Sequence, residues 1–117
     1  MKRVLLVLLL VPLLAAVGAS QTPQSPIVFT RSTIIDNPRV TVMRLTAEPG
    51  AREEVHTHPY DVVVVQLTRG DLEMTVGSEK VSGTRDPGFS MFIAKGTPHA
   101  AANVGKTPFD VIVTVIK

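Results

Sequence analysis

Short runs of strand-forming residues, separated at regular intervals by turn residues, limit the fold of this chain more than any other feature. From Ile27 onward the runs are rich in Val, Ile, Thr and Phe. No segment there shows a 3.6-residue apolar repeat longer than two turns. Glycine- or proline-containing breakers separate the runs at Asn37-Pro38, Pro49-Gly50, Arg69-Gly70-Asp71, Gly77-Ser78, Asp86-Pro87-Gly88, Gly96-Thr97-Pro98 and Gly105-Lys106. This spacing predicts an all-β domain of about eight to ten short strands.

Two of the predicted strands show the alternation of a half-buried sheet. Apolar side chains occupy every second position from Leu72 to Val76, and again from Phe109 to Val115. The run Val62 to Val65 differs, because four consecutive valines are typical of a strand buried on both faces. Periodicity alone leaves a sandwich and a barrel equally open.

The N-terminal segment has the three parts of a secretory signal peptide. Lys2 and Arg3 are basic, residues 4–17 are apolar, and small residues follow. We therefore predict a signal peptide over residues 1–19, a flexible lead-in over residues 20–26 and one domain over residues 27–117, exported to the periplasm or secreted. No stable membrane span is expected after cleavage, because the apolar run is shorter than the roughly 20 residues of a spanning helix and Pro12 interrupts it.

Composition excludes several classes of function. The chain contains no cysteine, so disulfides, thiolate metal sites and cysteine nucleophiles are excluded. Without Lys2 and Arg3, ten basic residues balance ten acidic ones, and nucleic acid is therefore not an expected partner. The sequence also lacks a glycine-rich phosphate loop and a Gly-x-Ser-x-Gly elbow. If the protein is a catalyst, we expect a metal to carry the chemistry.

The chain has only three histidines, and their spacing points to a metal site. On a strand, residues i and i+2 share a face, so His56 and His58 can present both imidazoles to one point. His99 follows the turn at residues 96–98, and a β fold could bring it alongside the other two. The alternative is three unrelated surface histidines, and the flanking residues decide between the two.

The residues around these histidines resemble the two motifs of the cupin superfamily. The positions that match the two motifs in register are Gly50, His56, His58 and Gly70 in the first, and Gly88, Gly96, His99 and Asn103 in the second. The resemblance covers residues 27–117 and implies a small single-domain cupin, a β-barrel of the double-stranded β-helix or jelly-roll type. It also implies that the three histidines bind a divalent metal.

Two positions depart from the motifs. Counting back from Gly70, Val63 stands where the family has a metal-binding glutamate, and Ala94 stands where the second motif has proline. The proline change is expected to be mild, because the turn retains Gly96 and Pro98. Without the glutamate, three neutral imidazoles should bind a cation less tightly but leave it a stronger Lewis acid. Zinc, iron, copper, nickel and cobalt suit such a site better than manganese does.

Three further residues are candidates for auxiliary roles. Asp61 could replace the missing carboxylate ligand, or it could be a solvated turn residue. Tyr60 could donate a proton near the metal or lie at the rim without a role. Arg44 could bind a carboxylate if it faces inward, although arginines on sheets more often face outward. The predicted apolar lining of the cavity is Val65, Leu67, Met74 and Phe92 or Met91.

These observations lead to a functional expectation with two alternatives. We expect an exported cupin that binds a divalent metal and acts as a metal-dependent oxygenase or isomerase on a small molecule. The first alternative is a non-enzymatic module that binds or senses a small ligand. The second is a structural element, and in every case pairing through edge strands predicts a homodimer.

Overall fold

The computed structural model describes Gly18 and residues 25–117. Apart from Gly18, the predicted signal peptide lies outside the described residues, and so does the predicted lead-in from residue 20 to residue 24. Within the described ranges there is no helix that is long and apolar enough to cross a membrane.

The described residues form nine strands, a number within the predicted range. The strands are β1 (Thr30–Asp36), β2 (Val40–Ala47), β3 (Arg52–His56), β4 (Asp61–Gln66), β5 (Gly70–Val76), β6 (Glu79–Arg85), β7 (Ser90–Ile93), β8 (His99–Asn103) and β9 (Phe109–Ile116). One sheet has the order β1-β2-β9-β4-β7 and the other the order β3-β8-β5-β6. The predicted all-β fold is therefore confirmed.

The core lies between the two sheets and is built from alternate residues of their strands. β9 occupies the centre of the five-stranded sheet, between β2 and β4. Its apolar positions Phe109, Val111 and Val113 are buried, as the alternation predicts. Leu72 and Met74 of β5 close the core from the opposite sheet.

Only Val62 of the four valines of β4 is fully buried, so the predicted full burial on both faces is wrong. Val62 is 1% exposed and Val64 packs against the core. Val63 and Val65 are half-buried on the outer face. Neighbouring strands cover both edges of β4, but no third layer of the described chain covers its outer face.

Gly70 is required where β5 begins against the start of β9. A Cβ atom at residue 70 would lie 2.6 Å from the Cβ and 2.7 Å from the Cγ of Phe109. Phe109 is itself only 1% exposed and has no room to move away. The close approach of the two strands therefore explains the glycine at this position of the first motif.

Candidate metal centre

The pairing of β3 with β8 brings two of the histidines together. His56, the last residue of β3, is the direct cross-strand partner of His99, the first residue of β8. Directly opposed residues project to the same face of a sheet, and the two ring centroids are 4.2 Å apart. His99 is only 6% exposed, whereas His56 is half-buried.

The sequence pattern predicts that His58 shares a strand with His56, but β3 ends at His56 and His58 lies in the loop that follows. The backbone N–H of Gly96 donates a hydrogen bond of 2.8 Å to the carbonyl of His58. This bond ties the loop to the turn that precedes His99, where Gly96 has a φ of 74° that favours glycine. The His58 ring centroid lies 4.9 Å from that of His56 and 5.1 Å from that of His99.

The three imidazoles converge on one point. Each can offer one ring nitrogen, and these atoms all lie within 4.8 Å of one another. Three imidazole nitrogens with open positions beside them are a common donor set for zinc and related first-row metals. The residues present therefore fit a divalent transition metal.

Backbone hydrogen bonds select the nitrogen that faces the metal position. His56 Nδ1 lies 2.7 Å from the carbonyl oxygen of Glu54, and His99 Nδ1 lies 2.9 Å from that of Thr97. A carbonyl oxygen only accepts, so each Nδ1 must carry the proton and donate. Each Nε2 then keeps its lone pair, which is the form that binds a metal.

The surroundings of His58 also favour the metal-binding form. Burial lowers the pKa of His58, and the neighbouring His56 and His99 lower it further. Both causes disfavour the imidazolium ion. His58 is therefore held as a neutral ligand under conditions where an exposed histidine is partly protonated.

A cavity of about 720 Å³ opens between the sheets beside the three histidines. Its interior is apolar and includes Leu45, Leu72, Met74, Ile93, Phe109 and Val113. Its charged lining residues, Arg31, Arg52, Glu53 and Glu54, lie on β1 and β3. A volume of this size accommodates a small organic molecule.

None of the three auxiliary candidates lines this cavity. The guanidinium of Arg44 pairs with Asp110 on the outer face of the five-stranded sheet. Asp61 accepts a hydrogen bond of 2.9 Å from the backbone N–H of Lys95, and Tyr60 is 41% exposed. The structure therefore does not bring these residues to the histidines.

The predicted lining is correct at Met74 and wrong at Leu67, which is 41% exposed, and at Val65, which lies on the outer face of β4. Of the two alternatives on β7, Phe92 is 61% exposed, whereas Met91 packs against the core. The inward-facing residues of β4 are Val62 and Val64. Val63, which the spacing from Gly70 assigns to the glutamate position, does not line the cavity, whereas Val62 does.

Sequence reasoning missed Arg31, although the chain contains a signal for it. Phe29, two residues earlier, is buried and lines the same cavity. Residues two apart in an extended segment share a face. A buried Phe29 therefore indicates that Arg31 also turns towards the cavity.

Substitution of the inward valine should strengthen metal binding. We expect Val62→Glu to increase zinc affinity at least about 10-fold, because a carboxylate adds a charged ligand to three neutral ones. Val63→Glu, on the outer face, should leave zinc affinity unchanged. Competition titration against a chelator distinguishes the two variants, and equal affinities would contradict the assignment of Val62 as the inward position.

Two facing antiparallel sheets, with a histidine cluster beside the cavity between them, define a double-stranded β-helix with a candidate metal site. The sequence model of the cupin domain family matches residues 43–115, and the chain belongs to that family.

Solved structures of cupins and related proteins share this fold. A cupin domain from Bordetella pertussis Tohama I is 28% identical with a TM-score of 0.70, covering 81% of this chain and 99% of that chain. Protein TT1209 from Thermus thermophilus is 24% identical with a TM-score of 0.68, covering 81% and 89%. KdgF from a Halomonas species is 18% identical with a TM-score of 0.64, covering 76% and 79%. None of the curated proteins compared with the chain matches it.

Proposed function

We propose that this protein is an exported cupin that binds a divalent transition metal through His56, His58 and His99 and acts on a small molecule as a metal-dependent oxygenase or isomerase. The observation that carries the proposal is the convergence of three ring nitrogens beside an apolar cavity. Zinc, iron, copper, nickel and cobalt all suit imidazole ligands. When bound, such an ion supplies Lewis acidity at a position open to the cavity.

The chain's own residues set the character of the site. The candidate cluster found among the described residues consists of histidines alone, without a carboxylate. Neutral donors leave the charge of a cation uncompensated, which favours an anionic or enolisable substrate. The apolar interior would hold the body of that substrate and exclude water.

Turnover with a loaded metal tests the proposed reaction. We expect the zinc- or iron-loaded protein to convert at least one member of a panel of small organic acids and thiols, followed by oxygen consumption and product analysis. Repeated binding without product would instead support a ligand-binding or sensing module. The charged lining residues all lie on β1 and β3, which leaves the interior of the cavity apolar. An apolar interior favours this second candidate, a module that binds a ligand without converting it.

Metal occupancy should fall at acidic pH, because protons compete with the metal for the imidazoles. The pKa of His58 is lowered, mainly by burial, so His58 is protonated at a lower pH than an exposed histidine is. We expect zinc content after dialysis to be constant above pH 7 and to decline as the pH falls through the acidic range. Elemental analysis after dialysis measures this, and full occupancy at pH 4 would contradict ligation by three histidines.

The proposal includes export and pairing. The basic, apolar and small-residue pattern at the N-terminus supports export, and N-terminal sequencing of the protein recovered from the periplasm or medium tests it.

β1, at the edge of the five-stranded sheet, is exposed throughout and carries Ile34 and Ile35. An exposed apolar edge supports a homodimer, which light scattering measures.

A further inference from the structure

An ion pair joins the two sheets at the mouth of the cavity. Arg31 lies on β1, at the edge of one sheet, and Glu53 lies on β3, at the edge of the other. The Arg31 guanidinium contacts the Glu53 carboxylate. Both residues line the cavity, and Ala101, the cross-strand partner of Glu53, lines it as well. The pair therefore faces inward over the opening.

The ion pair shares its cavity with the histidine cluster. Arg31 and Glu53 line the cavity together with His56, His58 and His99.

Arg31 retains capacity for a second anion. A guanidinium carries five N–H donors in a planar fork. Among the described residues, its side-chain hydrogen bonding is to Glu53 alone, and the side chain is 56% exposed. Glu53 is only 14% exposed and holds the guanidinium in place. An incoming carboxylate can therefore bind to the remaining N–H groups without breaking the ion pair.

The cavity wall next to Arg31 limits the chemical nature of the rest of an anionic ligand. Beyond the mouth, Phe29, Leu45, Leu72 and Ile93 surround an apolar space. Burying an apolar chain there is favourable, whereas burying a second charge without a partner is costly. A ligand that satisfies both regions has one carboxylate and an apolar body.

We propose that Arg31 is the carboxylate anchor of this cavity, and that the ligand is a monocarboxylic acid with an aliphatic or aromatic body. The carboxylate lies at the mouth, between Arg31 and the histidine cluster, and the body occupies the space between the sheets. The inference deepens the proposed function, because it rests on the same cavity being the substrate site.

Calorimetric titration with octanoate and with its uncharged counterpart octanamide tests this assignment. Wild type, Arg31→Gln and Arg44→Gln are each titrated without metal and after zinc loading. Arg44 is a matched control, because it also forms a cross-strand ion pair but on the outer face of the sheet. We expect Arg31→Gln to weaken octanoate binding at least about 10-fold in both metal states, the usual effect of losing a charge-assisted hydrogen bond. Octanamide affinity should not change, and Arg44→Gln should match wild type.

Several results would overturn the assignment. One is equal wild-type affinity for octanoate and octanamide, another is undiminished octanoate binding by Arg31→Gln, and a third is no binding of either probe. Failure of zinc to bind would refute the proposed metal function instead. The metal-free titrations would still decide the role of Arg31, so the two failures are distinguishable.

Discussion

Replacing His99 with alanine should lower the zinc affinity of the protein at least about 100-fold. Residues that merely orient a metal ligand change affinity by about 10- to 100-fold, so loss of a ligand should cost at least as much. The candidate cluster contains no carboxylate that could compensate. His99 is also the most buried of the three histidines, and its Nδ1 is fixed by the Thr97 carbonyl. Competition with a fluorescent zinc chelator measures the affinity.

The matched control for this variant is Tyr60→Ala. Tyr60 lies near His58 in sequence, yet it is 41% exposed and does not line the cavity. Its zinc affinity should stay within about twofold of wild type, in keeping with the small effect of surface changes. A folded His99→Ala protein that binds zinc as tightly as wild type would show that the three histidines do not share an ion.

The second large effect is expected at Asn103, whose substitution by leucine should reduce the free energy of unfolding by about 4 kcal/mol. Asn103 is 2% exposed. Its Nδ2 donates to the carbonyls of Ala47 and Thr107, each at 2.8 Å, and its Oδ1 accepts from the Gly105 N–H at 2.9 Å. Leucine has a similar volume but satisfies none of these three groups, and each buried group left unpaired costs about 1–3 kcal/mol.

Urea unfolding provides the measurement for Asn103→Leu. Asn37→Ala is the control, because the Asn37 side chain also accepts from two backbone N–H groups but lies in an exposed turn. We expect the control to lose about 1 kcal/mol, since water can replace exposed hydrogen bonds. If the Asn103 variant loses no more than the Asn37 variant, the side chain does not hold β2, β8 and the loop before β9 together.

Much of the fold could be predicted from local patterns. Breaker spacing located the turns, and alternation in β5 and β9 correctly assigned the core faces of Leu72 and Phe109. The family resemblance identified positions whose structural reasons are now visible. Phe109 leaves no space for a side chain at position 70, which therefore must be glycine. The Asn103 side chain forms hydrogen bonds with three backbone groups.

The phase of β4 could not be predicted, because a run of four valines has no polar residue to mark the outer face. Pairing of β4 with β7 and β9 determines that phase and turns Val62 inward. A shift of one residue inverts every side chain of a strand. That inversion is why Val65 was wrongly placed in the cavity lining.

The position of His58 depends on contacts between distant parts of the chain. Local spacing predicted that His56 and His58 would share a strand, but β3 ends at His56. The Gly96 N–H holds the His58 carbonyl across a long sequence separation. Such a bond is decided by tertiary structure and leaves no periodic signal in the sequence.

Anomalous diffraction at the zinc edge, from crystals of the zinc-loaded protein, tests the central claim most directly. We expect one strong peak, about 2.0–2.1 Å from the Nε2 atoms of His56, His58 and His99, with the remaining position open to the cavity. Zinc bound instead to the carboxylates of Glu53 and Glu54, with the His99 ring turned away, would contradict it.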